Sequence, residues 1–241
     1  MTVRVGMWSG PRNLSTAMMR SFENREDTVV VDEPFYACYL ARTGIDHPGR
    51  DAVIASLPTD PAEVVRSLDA PPPHGATVVY AKQMTHHLAA DMDLAWTRSS
   101  RNVLLIRDPA EVVASYVRSR EACEPMDIGL QQQERLVETW QAREVTAPVI
   151  DAADFLRDPE GYLRWVCDWL GIGFTDRMLS WPAGPRPTDG VWAPYWYDAV
   201  LSSTGFAPWR PREVDLNTHD AAVAEACRPA YERLRELRVR L

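Results

Sequence analysis

Four places in this 241-residue chain bring together residue types that do chemistry. The first is Pro11-Arg12-Asn13-Leu14-Ser15-Thr16. A stretch rich in breakers that runs into a helix leaves backbone N–H groups free at the helix N-terminus, which attracts anions. Arg12 adds a fixed positive charge, and Ser15 and Thr16 add hydroxyl donors. The chemistry is a phosphate or sulfate cradle; the same residues also suit a plain helix start capped by Asn13 or Ser9. The second place is Arg107 with Ser115 eight residues later, across an Asp108-Pro109 helix start. It reads as a second anion site or as a capped helix with a local ion pair. The third is Asp32-Glu33-Pro34, where Glu33 suits a general base and equally a helix cap. The fourth is Lys82 with His86 and His87 close behind, a cation beside a candidate base. Lys82 is the single Lys among 26 Lys and Arg residues. The arginine bias itself reads as genome composition, but Lys and Arg are different chemical tools. Lys82 therefore reads either as a chance survivor of that bias or as a position where Arg does not serve.

These residues need elements to hold them. Short apolar runs read as buried strands: Val3 to Met7, Thr28–Val31, Thr77–Ala81, Asn102–Ile106 and Pro148–Asp151. Helical patterns lie between them, from Leu14 to Phe22 and over Ala62–Leu68, His87–Trp96, Ala110–Arg120, Leu130–Glu144 and Glu160–Leu170. Strands alternating with helices give an α/β fold, a central parallel sheet flanked by helices, expected as one domain over 1–241. Ligands of such sheets sit beyond the carboxyl ends of the strands. Each of the four places follows an expected strand, so all four fall on that edge. Residues 69–75 form a proline-rich turn. Residues 181–211, with four Trp and many Pro, read as a lid, as an acceptor-binding loop, or as a flap that seals the core. Residues 219–241 read as a C-terminal packing helix.

Composition narrows the function. A net charge of −8 argues against a nucleic-acid surface, so an anionic ligand needs a local cluster of cations. Four widely spaced Cys, with no paired His/Cys spacing, suggest neither a zinc site nor disulfides. No apolar run is long enough to span a membrane, and the first residues lack a signal-peptide core. The expectation is a cytoplasmic protein with no metal and no membrane partner. The sequence is silent on oligomeric state.

Taken together, the first two places resemble the motifs of the sulfotransferase superfamily, nearest to its bacterial carbohydrate-type members. In that family a loop written PKSGTT or PRSGTT grips the 5′-phosphosulfate of 3′-phosphoadenosine 5′-phosphosulfate (PAPS). An Arg and a Ser eight residues later grip its 3′-phosphate. Pro11 to Thr16 stands in the place of that loop, with Asn13-Leu14 for the usual Ser-Gly, and Arg107 and Ser115 match the second motif. The resemblance implies a P-loop-like fold and sulfuryl transfer from PAPS to a hydroxyl or amine of a small molecule. It implies that Arg12 and Lys82 stabilise charge at the breaking bond, and that Glu33, or else His86, takes the acceptor's proton. The competing readings are a nucleotide-dependent phosphotransferase and a non-catalytic nucleotide-binding protein. The first lacks Gly-x-x-x-x-Gly-Lys-Ser/Thr. A pyridoxal-phosphate aminotransferase is a remote further reading, with Lys82 the one candidate Schiff-base lysine.

Overall fold

A computed structural model describes residues 2–118, 123–211 and 213–241. Five parallel strands form one sheet: β1 (Val3–Ser9), β2 (Thr28–Asp32), β3 (Val78–Met84), β4 (Arg101–Ile106) and β5 (Val149–Asp151), in the order β2-β3-β1-β4-β5. Twelve α-helices are present among the described residues: α1 (Ser15–Glu23), α2 (Tyr36–Thr43), α3 (Arg50–Ser56), α4 (Pro61–Asp69), α5 (Pro109–Tyr116), α6 (Pro125–Ile128), α7 (Leu130–Ala142), α8 (Ala152–Arg157), α9 (Pro159–Leu170), α10 (Ala193–Trp196), α11 (Asp198–Leu201) and α12 (Thr218–Glu236). This is the α/β architecture that the alternation of patterns predicts.

Strands covered on both faces read as unbroken apolar runs, and side chains alternate between the faces. Val5 and Met7 of β1, with Val103 and Leu105 of β4, enter one core with Phe22, Phe155, Val166 and Trp192. Trp8, Leu104 and Ile106 enter the other, with Val113, Trp140 and Tyr231. Gly6 lies under this second layer. The Trp8 indole N–H donates to Asn102 Oδ1 at 2.8 Å, and a Cβ at Gly6 would sit 2.7 Å from that oxygen.

Several expectations are corrected. The helix expected over His87–Trp96 is two 3₁₀ turns, Thr85–His87 and Ala95–Ser99, with irregular chain between them. The Asp93 carboxylate accepts from the Ala95 N–H at 2.9 Å, a local turn bond that competes with helix. Lys82 does not follow its strand but lies inside it, because β3 runs on to Met84. The helix expected to reach Arg120 ends at Tyr116, and Ser119 and Arg120 lie outside the described residues. Helices α2, α3 and α8 had no periodic signal. They are too short to show one, and α8 is started by the Asp151 carboxylate accepting from Ala153 N–H at 2.8 Å. The C-terminal helix starts at Thr218 behind the Asn217 cap and ends at Glu236. No described helix is long and apolar enough to cross a membrane.

Candidate active site

The loop after β1 makes its turn with few glycines. Arg12 takes the left-handed conformation itself, at φ 55°. Asn13 locks the turn: its amide donates to the Leu105 carbonyl at 3.1 Å, and its Oδ1 accepts from Leu14 N–H at 2.7 Å. Asn13-Leu14 thus replaces Ser-Gly by hydrogen bonding rather than by backbone freedom. Gly10 is required for space, since a Cβ there would lie 2.3 Å from the Ile128 carbonyl oxygen. No side chain caps α1 through its cap residue Leu14. Its first turn, which includes Ser15 and Thr16, is left open to an anion.

The two expected anion sites meet. Arg12 Nε donates to Ser115 Oγ at 3.1 Å, and Arg107 donates to the Arg12 carbonyl at 2.9 Å. Arg107 is also forked on Glu111, at 2.9 and 2.7 Å. The structure therefore places the Arg12 guanidinium at the Arg107–Ser115 end. Arg118, which the sequence reading did not single out, belongs to the same cluster. Burial lowers the pKa of Arg12, and repulsion from Arg118 and Arg107 lowers it further, while Asp198 opposes the shift. Guanidinium groups held this close are stabilised by an arriving anion.

Across the edge lies a cluster of opposite sign. Parallel register sets Asp32 of β2 beside Lys82 of β3. Glu33 follows in the left-handed region at φ 43°, and its N–H donates to the Lys82 carbonyl at 3.0 Å. Lys82, 1% exposed, spends its three ammonium donors on Asp32 (3.0 Å), the Tyr197 hydroxyl (2.7 Å) and Glu33 Oε1. Tyr197 in turn donates to Asp32 at 2.7 Å and accepts from the Trp192 indole at 3.1 Å. Burial lifts the Glu33 carboxyl above the usual range; Asp32 adds to this and Lys82 only partly offsets it. For Lys82, burial alone would lower the pKa, but the two carboxylates outweigh it and hold the ammonium charged.

The histidines occupy the turn after β3. His87 is buried and stacks on Tyr36 and Tyr39, with ring centroids 4.5 and 5.0 Å apart. Its Nε2 lies 3.9 Å from Glu33 Oε2. His86 meets Tyr39 edge-on. Burial, then Lys82, pushes the His86 pKa down to about 4. Burial, His86 and Lys82 hold His87 well below the ordinary imidazole value. Of the two, it is His87 that stands beside Glu33.

Within residues 181–211, Gly190, Trp192 and Tyr197 close over this cluster. Trp181, Trp192 and Tyr197 are buried. The Gly190 N–H donates to Asp32 at 3.2 Å, and buried Arg20 of α1 pairs with Asp189 at 2.7 Å. Sequence patterns do not single out Arg118, Trp192 or Tyr197, and they give Asp32 only as the neighbour of Glu33. Asp32 was legible as the strand position before Glu33. Tyr197 lies 115 residues from its partner Lys82, and nothing local marks it.

A family model described as "Sulfotransferase domain" matches residues 3–236. Two curated proteins of Arabidopsis thaliana are similar in sequence. "Branched-chain-amino-acid aminotransferase-like protein 1" is 37% identical over 95% of this chain, and "Branched-chain-amino-acid aminotransferase-like protein 2" is 34% identical over 95%. The chain spans only 41% and 40% of their lengths. Among solved structures, the sulfotransferase domain of the Synechococcus PCC 7002 olefin synthase aligns with a TM-score of 0.54 at 16% identity, over 93% of this chain and 94% of that one. A sulfotransferase from Alicyclobacillus acidocaldarius aligns with a TM-score of 0.52 at 15% identity, over 98% and 96%. At such identities these two report the shared fold. The chain belongs to the sulfotransferase domain family.

Proposed function

We propose that this chain moves a sulfuryl group from PAPS to a hydroxyl or amine of a small-molecule acceptor. The carrying observation is one sheet edge with two neighbouring clusters: Arg12 and Arg107 gathered at Ser115, and the buried Glu33 carboxylate held by Lys82. The open first turn of α1, with Ser15 and Thr16, suits the 5′-phosphosulfate. Arg107, Ser115 and, from its position, Arg12 suit the 3′-phosphate. Glu33 Oε1 is held by Lys82, which leaves Oε2 to receive the acceptor's proton. A carboxylate of raised pKa is a stronger base than an ordinary one. Lys82 keeps Glu33 aimed and supplies positive charge behind it. In such transfers, positioning and neutralising the developing charge dominate.

The names of the curated relatives raise aminotransferase chemistry. A Schiff base needs a neutral amine within reach of the cofactor. Lys82, the single lysine, is charged and enclosed by two carboxylates and a phenol. Those residues do not fit pyridoxal phosphate.

A thermal-shift series tests the proposal. Adenosine 3′,5′-bisphosphate (PAP) is expected to raise the melting temperature, while AMP and Mg-ATP do not. Stabilisation by Mg-ATP alone refutes it.

A further inference from the structure

Residues 186–201 cross the acidic cluster as a strap that is tied down along its length. Arg20 of α1 holds Asp189 at 2.7 Å, and the Gly190 N–H donates to Asp32 at 3.2 Å. Trp192 meets Tyr36 edge-on with ring centroids 5.1 Å apart, and the Trp196 ring lies 5.0 Å from that of His47. The Tyr195 ring packs so closely on Gly49 that a Cβ there would lie 2.6 Å from it. Tyr197 stands between α10 and α11. Its N–H donates to the Ala193 carbonyl at 2.9 Å, and its carbonyl accepts from the Leu201 N–H at 2.8 Å. A backbone held in this way can fix a side chain that in turn fixes another.

The Tyr197 hydroxyl uses every bond it can make. Its oxygen accepts from the Lys82 ammonium at 2.7 Å and from the Trp192 indole at 3.1 Å. An ammonium and an indole N–H only donate, so the phenol proton goes to Asp32, 2.7 Å away. Lys82 is used up in the same way. With one N–H on Asp32 and one on Tyr197, its third goes to Glu33 Oε1. We infer that Tyr197 is a positioning residue for the base: it fixes the rotation of the Lys82 ammonium, so that one N–H stays on Glu33 Oε1 and Oε2 is left to take the acceptor's proton. The inference rests on the sulfotransfer reading and extends it by making residues 186–201 part of the base site. In that reaction the acceptor oxygen or nitrogen bonds to sulfur as the bond from sulfur to the 5′-phosphate oxygen breaks. PAP leaves, and the acceptor's proton ends on Oε2. Glu33 is faced by Asp32 of β2, Lys82 of β3, Tyr197 of the strap, and His87 at 3.9 Å. Burial and Asp32 favour its protonated form, while Lys82 and Tyr197 favour the carboxylate. Loss of the phenol should therefore leave Glu33 holding a proton more tightly and Lys82 with a free N–H.

The single lysine allows a direct reading by NMR. The full chain is isotope-labelled at the lysine Nζ and at the glutamate side-chain carboxyls, saturated with PAP, and titrated with acid. Lys82 supplies the one labelled ammonium signal, and the Glu33 signal is the one that Glu33→Gln removes. Tyr197→Phe is expected to speed exchange of the ammonium protons with water about tenfold and to move the Glu33 midpoint up by about one pH unit, the worth of one hydrogen bond to a charged group. Ser203→Ala strips the Trp181 indole of its partner in the same segment, so it should lower Tm and move neither signal. A tyrosine with a structural role alone would behave as Ser203 does. Tyr197→Phe with the wild-type Glu33 midpoint overturns the inference, whatever its exchange rate. If that variant does not fold, Trp192→Phe decides. It keeps the phenol and removes one donor to it, and a Glu33 midpoint that does not rise overturns the inference. Failure of the wild type to bind PAP refutes the sulfotransfer reading instead, and the same signals, read without PAP, still judge Tyr197.

Discussion

Replacing Lys82 with Arg keeps the charge and changes everything else about the site. The lone lysine of an arginine-rich chain sits where three acceptors converge on one nitrogen: Asp32 Oδ1 at 3.0 Å, Tyr197 Oη at 2.7 Å, and Glu33 Oε1. The side chain is 1% exposed. A guanidinium is a planar fork and is bulkier. It can pair with one carboxylate but cannot point one atom at three acceptors. The lost contact to the second carboxylate costs about 1.5–3 kcal/mol, and overpacking a closed site adds about 1–3 kcal/mol. Lys82→Arg is therefore expected to destabilise by roughly 3–5 kcal/mol, as much as removing the charge outright with Lys82→Met. For a chain of this size that lowers Tm by about 6–20 °C. Urea and thermal unfolding measure it, with PAP binding as the check on the rest of the fold. If Lys82→Arg melts within about 2 °C of wild type, the convergent geometry is not what the lysine serves.

Other substitutions probe the remaining parts. Glu33→Gln should abolish turnover and leave PAP affinity unchanged, measured by single-turnover assay and calorimetry. Its effect on stability carries a sign. The folded pKa of Glu33 lies above the unfolded one, so its stabilising contribution is full at low pH and lost as pH rises through the folded value. The variant should gain on wild type from the ordinary glutamate range upward, seen in Tm measured against pH. Arg107→Ala should weaken PAP binding about tenfold to a hundredfold, the worth of a charged hydrogen bond, with less effect on the KM for acceptor. Tyr197→Phe leaves Asp32, Lys82 and the Trp192 indole each short of a partner and should cost about 2–3 kcal/mol in urea unfolding. It should also raise protease sensitivity within residues 186–200.

The sequence carried the strands and the anion loop because both depend on local features. Apolar runs such as Val103-Leu104-Leu105-Ile106 report a strand covered on both faces, and Asp108-Pro109 reports a helix start. The lock on the loop after β1 was not legible, because Asn13 reaches the Leu105 carbonyl, 92 residues away. That His87 stands 3.9 Å from Glu33 was hidden for the same reason. Only the position of Tyr36 and Tyr39 on α2 shows that His87 is stacked and buried, and α2 gave no periodic signal. Glu33 and Lys82 were both legible as chemical groups, yet their pairing depends on β2 lying next to β3 in the sheet.

That strand order also sorts the charge of the edge. β1 lies between β3 and β4, so the loop after it stands at the middle of the edge. Arg107 and, on α5, Ser115 follow β4 on one side, and the turns that supply Glu33 and His87 follow β2 and β3 on the other. Arg12, from the middle loop, turns its guanidinium to the β4 side. The result is a cationic half with Arg12, Arg107 and Arg118 and an acidic half with Asp32 and Glu33 around one Lys. Such a division suits a reaction between an anionic donor and a neutral nucleophile. In the proposed reaction the cationic half would draw the donor into one end, while the acidic half would offer its excess carboxylate to a proton and repel a second anion. If this is the working arrangement, Glu33→Lys should convert the acidic half into a second anion site. Inorganic sulfate should then bind more tightly to the variant than to wild type, with a steeper dependence on ionic strength. Equal sulfate affinity in the two proteins would mean that the charge division has no part in choosing the ligands.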